Sequence, residues 1–367
     1  MIKSFVTAVV VLIMLPLSAE TGTSFEDLVR RAAFANAQNE VPDAIKLYSR
    51  ALLLRPKWAE GWLRIGVLKY QTGSYAGARN DLTHFIALTH NPEPAVGIRG
   101  LCEFQTGEYA KSLKDIRRAL SFPGEEAGEE RELLVYHEAL LLTKFGRFVQ
   151  ALNDYGTFAQ KQLSRPEMFR AIGLAGLRIP LFPTDLTRDI EQVEATGSAI
   201  YALLAGDQEE GQHQFEAVFR KFAPMSNEHY IYGLLLFPSD PDAALVEFQR
   251  EADLFPANEQ GEIMTAWALL MRQDAEGAKP HAVKAARKAP HVAGAQLVVG
   301  RALAETGSLK DGIGHLSEAL RLEPENLEIH VALAEAYSRA GDRSRSQRER
   351  RICLEMTKDG RNRIALP

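Results

Sequence analysis

Apolar side chains recur at steps of three and four residues along most of the chain, which is the spacing of an amphipathic helix. Trp62, Ile65 and Leu68 form one such run, and Leu316 and Leu320 belong to another. Glycine interrupts the pattern about midway through each stretch, and proline follows its end. Each stretch is therefore predicted to form two antiparallel helices, and the pattern as a whole predicts an all-α fold.

The helix pairs repeat with a fixed period. Pro256, Pro290 and Pro324 close three consecutive repeats at equal intervals, and Gly73 and Gly107 mark the turns of two earlier repeats at the same interval. Two separate stretches of the chain thus share one period. The period predicts about nine stacked helix pairs, an array in which no single core has to grow with chain length.

Small residues occupy two fixed places in each repeat. At positions 8 and 20, one repeat carries Gly66 and Ala78, and the next carries Gly100 and Ser112. A small residue at a helix crossing lets two backbones approach closely. We therefore expect the two helices of each repeat to cross at these positions, where a bulky residue would disrupt the stacking.

This spacing resembles the tetratricopeptide repeat family, whose pattern places Trp, Leu, Gly, Tyr, Ala, Phe and Pro in a repeat of about 34 residues. The residues that carry the resemblance are Trp62, Gly66, Gly73 and Ala78 in one repeat, Gly300, Gly307, Leu316, Ala319 and Pro324 in another, and Ala44, Tyr48, Ala51 and Pro56 in the first. The resemblance implies a right-handed α-solenoid of antiparallel helix pairs that acts as a scaffold or adaptor rather than an enzyme.

The resemblance also implies a binding face. In this family the first helix of each repeat lines a concave groove at positions 2, 5, 9, 12 and 13. The candidate partner-binding residues are Leu63, Val67, Tyr70, Leu101, Phe104, Tyr136, Leu140, Trp267 and Met271. Because this lining is apolar and aromatic, we expect it to hold an apolar or amphipathic segment of a protein or peptide. Three alternatives remain open: a tight superhelix that buries these residues internally, a self-associating array, and a regulatory subunit of an exported enzyme complex.

Chaperone-binding members of the family use a different chemistry in the groove. They hold a carboxylate with Lys, Asn and Arg at position 5, position 9 and neighbouring places. Here Val29 and Ala33 occupy positions 5 and 9 of the first repeat, and Leu63 and Val67 occupy those of the second. A carboxylate clamp is therefore not expected.

The period fails in one internal segment. Residues 166–191 contain Pro166, Pro180 and Pro183 around a single helical stretch, and no frame of the repeat period survives there. This segment is either a degenerate repeat with a long loop or a hinge. The predicted organisation is an N-terminal repeat block at residues 20–165, the irregular segment at 166–191, and a C-terminal repeat block with a capping helix at 192–367.

Residues 1–19 have the layout of a secretory signal peptide. Lys3 precedes an apolar run at residues 5–15, and Ser18 and Ala19 precede Glu20. The apolar run is shorter than the roughly 20 residues that cross a bilayer. We expect cleavage, export to a periplasm or the extracellular space, and no transmembrane segment afterwards.

The composition and the motif search mainly exclude classes of function. The chain has 43 Lys and Arg against 48 Asp and Glu, so no global positive field favours nucleic acid. Metal-binding, phosphate-binding and nucleophile motifs are missing from the sequence, and we expect no catalytic site, metal or cofactor. Cys102 and Cys353 lie too far apart in a stack to pair.

The C-terminal residues 338–367 are the exception to the balanced charge. They contain nine Lys and Arg against four acids. A polar outer face on the last helix of a solenoid accounts for this by solubility alone, and an anionic partner is the alternative.

Overall fold

The computed structural model describes residues 24–123 and 128–358. The predicted signal peptide lies outside the described residues. Within them the secondary structure is helical, with nineteen α-helices, one short 3₁₀ turn and no strand. The all-α class is therefore confirmed.

The chain divides into two compact units, Met1–Leu141 and Leu142–Pro367. The helices that begin in the N-terminal unit are α1 (Phe25–Ala37), α2 (Val41–Leu54), α3 (Ala59–Gln71), α4 (Tyr75–Leu88), α5 (Glu93–Gln105), α6 (Tyr109–Leu120) and α7 (Glu129–Lys144). The C-terminal unit contains α8 (Phe148–Gln160), α9 (Pro166–Gly176), α10 (Ile190–Leu204), α11 (Gln208–Lys221), α12 (Glu228–Leu236), α13 (Pro241–Leu254), α14 (Gln260–Met271), α15 (Ala275–Lys288), α16 (Ala293–Glu305), α17 (Leu309–Leu322), α18 (Leu327–Arg339) and α19 (Arg343–Lys358). The boundary falls inside α7, whereas the sequence pattern breaks at residues 166–191.

The turn between the two helices of a repeat has a left-handed residue at the predicted place. Gly73, Gly107 and Gly307 have φ values of 77°, 78° and 95°, and Asn39 takes the same role in the first repeat with φ 63°. Glycine reaches this region without a Cβ penalty, and asparagine tolerates it. The turn therefore recurs because the same backbone conformation ends the first helix in each of these repeats.

The small residues at positions 8 and 20 meet where the two helices of a repeat cross. The Ser112 hydroxyl donates to the Gly100 carbonyl over 2.7 Å, and the equivalent Ser346 donates to Ala334 over 2.8 Å. A Cβ added to Gly66 would lie 2.8 Å from Leu82. The predicted close crossing is confirmed.

The segment 166–191 adds one helix to the array. Helix α9 packs against α10 through glycines, because a Cβ on Gly173 would lie 2.0 Å from the Val193 carbonyl oxygen and one on Gly197 would lie 1.8 Å from that of Phe169. The loop between α9 and α10 contains the 3₁₀ turn Pro183–Asp185. This close contact depends on two glycines at the helix crossing and does not require the residue spacing of the repeat.

Polar pairs that are partly or fully buried join the two helices within each of three repeats in the C-terminal unit. His281 donates to Glu262 over 2.7 Å, His315 donates to Gln296 over 2.7 Å, and these pairs occupy the same positions in consecutive repeats. In the next repeat, His330 of the first helix donates to Glu349 of the second over 2.7 Å, which reverses the order. Each pair joins the first helix of a repeat to the second and satisfies a buried polar group.

None of the described helices is both long and apolar enough to cross a membrane.

Candidate partner-binding site

The first candidate residues lie on α3 in the N-terminal unit. Leu63, Val67 and Tyr70 follow one another at steps of four and three residues and are half-buried. Leu63 and Tyr70 pack on the cluster formed by buried Ala78, Leu82, Phe85, Ala95 and Cys102. One side of each residue is therefore held by the core of the unit, and the other side faces outward.

Helices α5 and α7 extend this set. Phe104 and Tyr136 are half-buried, and the ring of His137 meets both, with centroids 4.8 Å from Phe104 and 5.9 Å from Tyr136. Leu101 and Leu140, which the sequence analysis also selected, are buried and are not part of the exposed surface. We call the set Leu63, Val67, Tyr70, Phe104 and Tyr136 the N-terminal aromatic face.

Two rings that the sequence analysis did not select complete this face. Tyr75 at the start of α4 contacts Tyr70 edge-on at 5.8 Å, and Tyr109 at the start of α6 contacts Phe104 in the same way at 5.8 Å. The two tyrosines occupy the same position in consecutive repeats, so the signal that could have found them is the period itself. Tyr70 and Phe104 are thus each braced by a tyrosine of their own repeat.

Tyr70 of the N-terminal aromatic face and the adjoining His137 are neutral around pH 7. Burial raises the pKa of Tyr70 to about 12 and lowers the pKa of His137 from its usual 6.5. The phenol therefore keeps its proton, and the imidazole stays without a positive charge. A neutral aromatic surface suits an apolar partner better than an ion.

One buried carboxylate lies behind this face. Glu103 on α5 is 5% exposed, and its Oε2 atom has no hydrogen-bond partner. Burial, followed by the nearby Asp115 charge, raises its pKa to about 7, although Arg99 opposes the shift. Arg99 itself binds Asp115 through two hydrogen bonds of 2.5 and 3.0 Å. Arg99 thus neutralises Asp115 and leaves Glu103 as a buried acid whose charged form is disfavoured.

The corresponding face of the C-terminal unit is filled by its own side chains. Trp267 on α14 is only 7% exposed, and its ring packs against Phe237 at 4.6 Å. Its indole N–H donates to Glu328 of α18 over 3.0 Å, and Arg301 also donates to Glu328 over 3.3 Å. A polar bridge thus spans from α14 to α18. Met271, at the end of α14, is 52% exposed and lies outside this bridge.

The two cysteines are free thiols. Cys102 is buried in the core beside the N-terminal aromatic face, and Cys353 on α19 is partly exposed. Burial raises the pKa of Cys102 to about 12, so this thiol stays protonated and acts as a small apolar residue.

The described residues also bear on metal binding. Among them, no group of three His, Cys, Asp or Glu side chains is placed to hold a metal ion.

Several solved structures are similar to parts of this chain, whereas a comparison with curated proteins gives no match. MamA from Desulfovibrio magneticus RS-1 is 20% identical over 47% of this chain and 98% of its own, with a TM-score of 0.40. MamA of MSR-1 is 22% identical over 47% of this chain and 99% of its own, with a TM-score of 0.37. The APC/C hetero-tetramer Cut9–Hcn1 is 11% identical over 92% of this chain and 88% of its own, with a TM-score of 0.42. We carry no residue role over from these structures.

The family comparison agrees with the repeat pattern. The tetratricopeptide repeat model matches residues 35–82, which include α2 and α3, and residues 263–326, which include α15 to α17. The matches fall in both compact units. The chain therefore carries tetratricopeptide repeats in an all-α scaffold, an architecture that serves protein–protein interaction.

Proposed function

We propose that this protein is a non-catalytic scaffold that binds an apolar or amphipathic segment of a partner protein on the N-terminal aromatic face. The observation that carries the proposal is that Tyr70, Phe104 and Tyr136 are partly exposed on the first helices of successive repeats in the N-terminal unit. Aromatic rings braced by their neighbours lose little side-chain entropy on binding, which makes them effective anchors.

We place the binding site in the N-terminal unit rather than the C-terminal unit because the corresponding side chains differ in their internal contacts. Trp267 already uses its ring on Phe237 and its N–H on Glu328, so a partner would have to displace internal contacts to reach it. Tyr70 and Phe104 are only partly buried, and each meets a tyrosine of its own repeat edge-on. An apolar segment therefore gains buried area on the N-terminal aromatic face at a smaller cost.

The test compares three versions of the mature chain as bait for partners in the exported fraction. The first is unchanged, and the second carries Tyr70→Ala, Phe104→Ala and Tyr136→Ala. The matched control changes three exposed apolar residues on second helices, Leu53→Ala, Leu88→Ala and Val246→Ala. The proposal expects the unchanged and control chains to capture the same partner and the aromatic variant to lose it.

A titration then measures the affinity directly. A synthetic segment of the captured partner should bind the aromatic variant at least about a hundredfold more weakly, because anchor truncations cost about 2 kcal/mol or more each. Equal capture and equal affinity for all three chains would reject the proposal. Light scattering over a concentration series tests the alternative in which the same rings pack against a second copy, since that assembly grows with concentration without any partner.

Export is part of the proposal and rests on residues 1–19. The proposed mature chain begins near Glu20. Mass measurement of the protein recovered outside the cytoplasm tests this directly. A mass in that fraction that still includes residues 1–19 would contradict cleavage.

A further inference from the structure

The last helix of the described chain carries a strongly basic outer surface. On its inner side, α19 is fixed to α18, because Ser346 donates to Ala334 and the buried Glu349 accepts from His330. On its outer side, Arg343, Arg350 and Arg351 are exposed. A helical step of seven or eight residues places these three side chains on one face.

Most of the exposed arginines on α19 are not paired with an acid. Among the residues that the structure describes, the guanidinium groups of Arg343, Arg348, Arg350 and Arg351 have no ion-pair partner. Arg345, by contrast, binds Asp342 at 2.5 Å and lies over the Tyr337 ring. These four arginines therefore make no ion pair within the described part of their own chain.

A terminal helix can be soluble with a surface of mixed positive and negative charges, so solubility alone does not explain why this surface is mainly positive. Residues 338–367 have a formal charge of +5, whereas the whole chain has a net charge of -5. Of the two acids on α19, Glu349 is buried against His330, so only the exposed Glu355 offsets the charge of the arginines on this surface. The local excess is thus opposite to the rest of the molecule and points to an anionic counterpart.

An apolar residue lies among the arginines. Leu354 is 64% exposed and lies close to the direction of Arg343 and Arg350 around the helix axis. The sequence after the described helix continues the same composition with Arg361, Arg363 and Ile364. Basic residues interleaved with apolar ones suit a bilayer interface, where phosphates meet the charges and the apolar side chains enter the headgroup region.

A cavity in the neighbouring repeats lies between α16, α17 and α18, and its lining includes Glu305 and Glu335 as well as Arg301 and Arg339. That mixed lining does not favour an anion. We propose that the outer surface of α19 docks on a bilayer of anionic lipid through the phosphodiester headgroups, independently of the N-terminal aromatic face.

The test measures co-sedimentation with vesicles. One preparation contains phosphatidylglycerol and phosphatidylcholine in equal parts, and the other contains phosphatidylcholine alone. The test variant carries Arg343→Gln, Arg348→Gln, Arg350→Gln and Arg351→Gln. The matched control carries Arg50→Gln, Arg165→Gln, Arg188→Gln and Arg287→Gln, four exposed arginines that change the net charge equally. All chains keep the same N-terminus, so any contribution of residues 1–19 is common to them.

The unchanged chain and the control are expected to bind the anionic vesicles and to bind the neutral vesicles far less. Each arginine near an anionic surface contributes about fivefold to partitioning, so the test variant should bind more weakly by roughly several hundredfold. Binding should also weaken as salt rises. Circular dichroism and melting of the variant, unchanged because the four side chains are exposed, show that the loss is not unfolding.

Three results would overturn the proposal. The first is equal vesicle binding by the test variant and the control. The second is equal binding of the unchanged chain to neutral and anionic vesicles. The third is binding of a glutamate-rich peptide that depends on the four arginines, with no vesicle binding, which would assign the surface to an acidic protein instead.

Discussion

The two compact units bury some of the same repeat positions to different extents. At position 5 of the first helix, Leu63 in the N-terminal unit is half-buried, whereas Ile263 and Leu297 in the C-terminal unit are 1% and 0% exposed. At position 12, Tyr70 faces outward and Leu270 is buried. The position within the repeat therefore fixes the direction in which a side chain points. Whether that side chain is exposed to solvent depends on how closely the first helices of neighbouring repeats pack against one another.

Glycine contacts hold the C-terminal unit close, and breaking one gives the largest expected effect. A Cβ on Gly197 would lie 1.8 Å from the Phe169 carbonyl oxygen, a backbone atom that cannot yield by rotation. Gly197→Ala is therefore expected to lower the free energy of unfolding by about 3 kcal/mol or more. Hydrogen exchange of the α9 and α10 amides measures the loss.

The control for this change is a glycine of the same unit with free space. Gly314 on α17 is exposed, and a Cβ there would meet no atom within 4 Å. Gly314→Ala should raise local stability by about 0.5–1 kcal/mol through helix propensity. If the two substitutions had equal effects, close helix approach would not be what holds α9 and α10.

The second prediction concerns the buried carboxylate Glu103 in the N-terminal unit. Glu103 has a folded pKa of about 7 against an ordinary value of 4.5, because burial disfavours its charge. The folded state therefore carries an ionisation cost that is complete above pH 7 and disappears as the pH falls from 7 to 4.5. Glu103→Gln should stabilise α5 and α6 by roughly 2–3 kcal/mol at pH 8 and by little at pH 4.

Hydrogen exchange of the α5 and α6 amides at the two pH values checks this. The matched control is Glu93→Gln, which changes an exposed carboxylate of the same helix and should alter stability little at either pH. A gain for Glu103→Gln that is the same at pH 8 and pH 4 would show that packing, not charge, makes the difference.

The third prediction concerns the bridge from α14 to α18. Trp267→Phe keeps an aromatic ring against Phe237 but removes the N–H that donates to Glu328. Because Arg301 still donates to Glu328, the expected loss is modest, about 1–2 kcal/mol. Glu328→Gln, which keeps an acceptor for the indole, is the control. Equal protection of the α18 amides in the Trp267 variant and the unchanged chain would contradict a bridge that contributes to stability.

The period predicted the fold well because it depends on local chemistry. The positive φ of Gly73 and Gly107 and the crossing of Gly100 with Ser112 follow from residue types within one repeat. The extra helix α9 was not predicted as a packing partner, because its contact with α10 depends on Gly173 and Gly197, which no frame of the repeat period aligns.

The candidate site was predictable only in part. The period selects Val67 and Trp267 for the same position, yet Trp267 reaches Glu328 at a distance of 61 residues along the chain. A contact between residues two repeats apart depends on the pitch of the helix array. That pitch cannot be predicted from the spacing of residue types or from the composition. Sequence alone therefore left open whether the groove residues face a partner or the protein itself.

The most direct test of this account is hydroxyl-radical footprinting of the mature chain with and without its captured partner. The account predicts that Tyr70, Phe104 and Tyr136 are modified in the free protein and protected in the complex, while Trp267 stays unmodified in both. Protection of the C-terminal unit on partner binding, with unchanged modification of the three N-terminal rings, would contradict it.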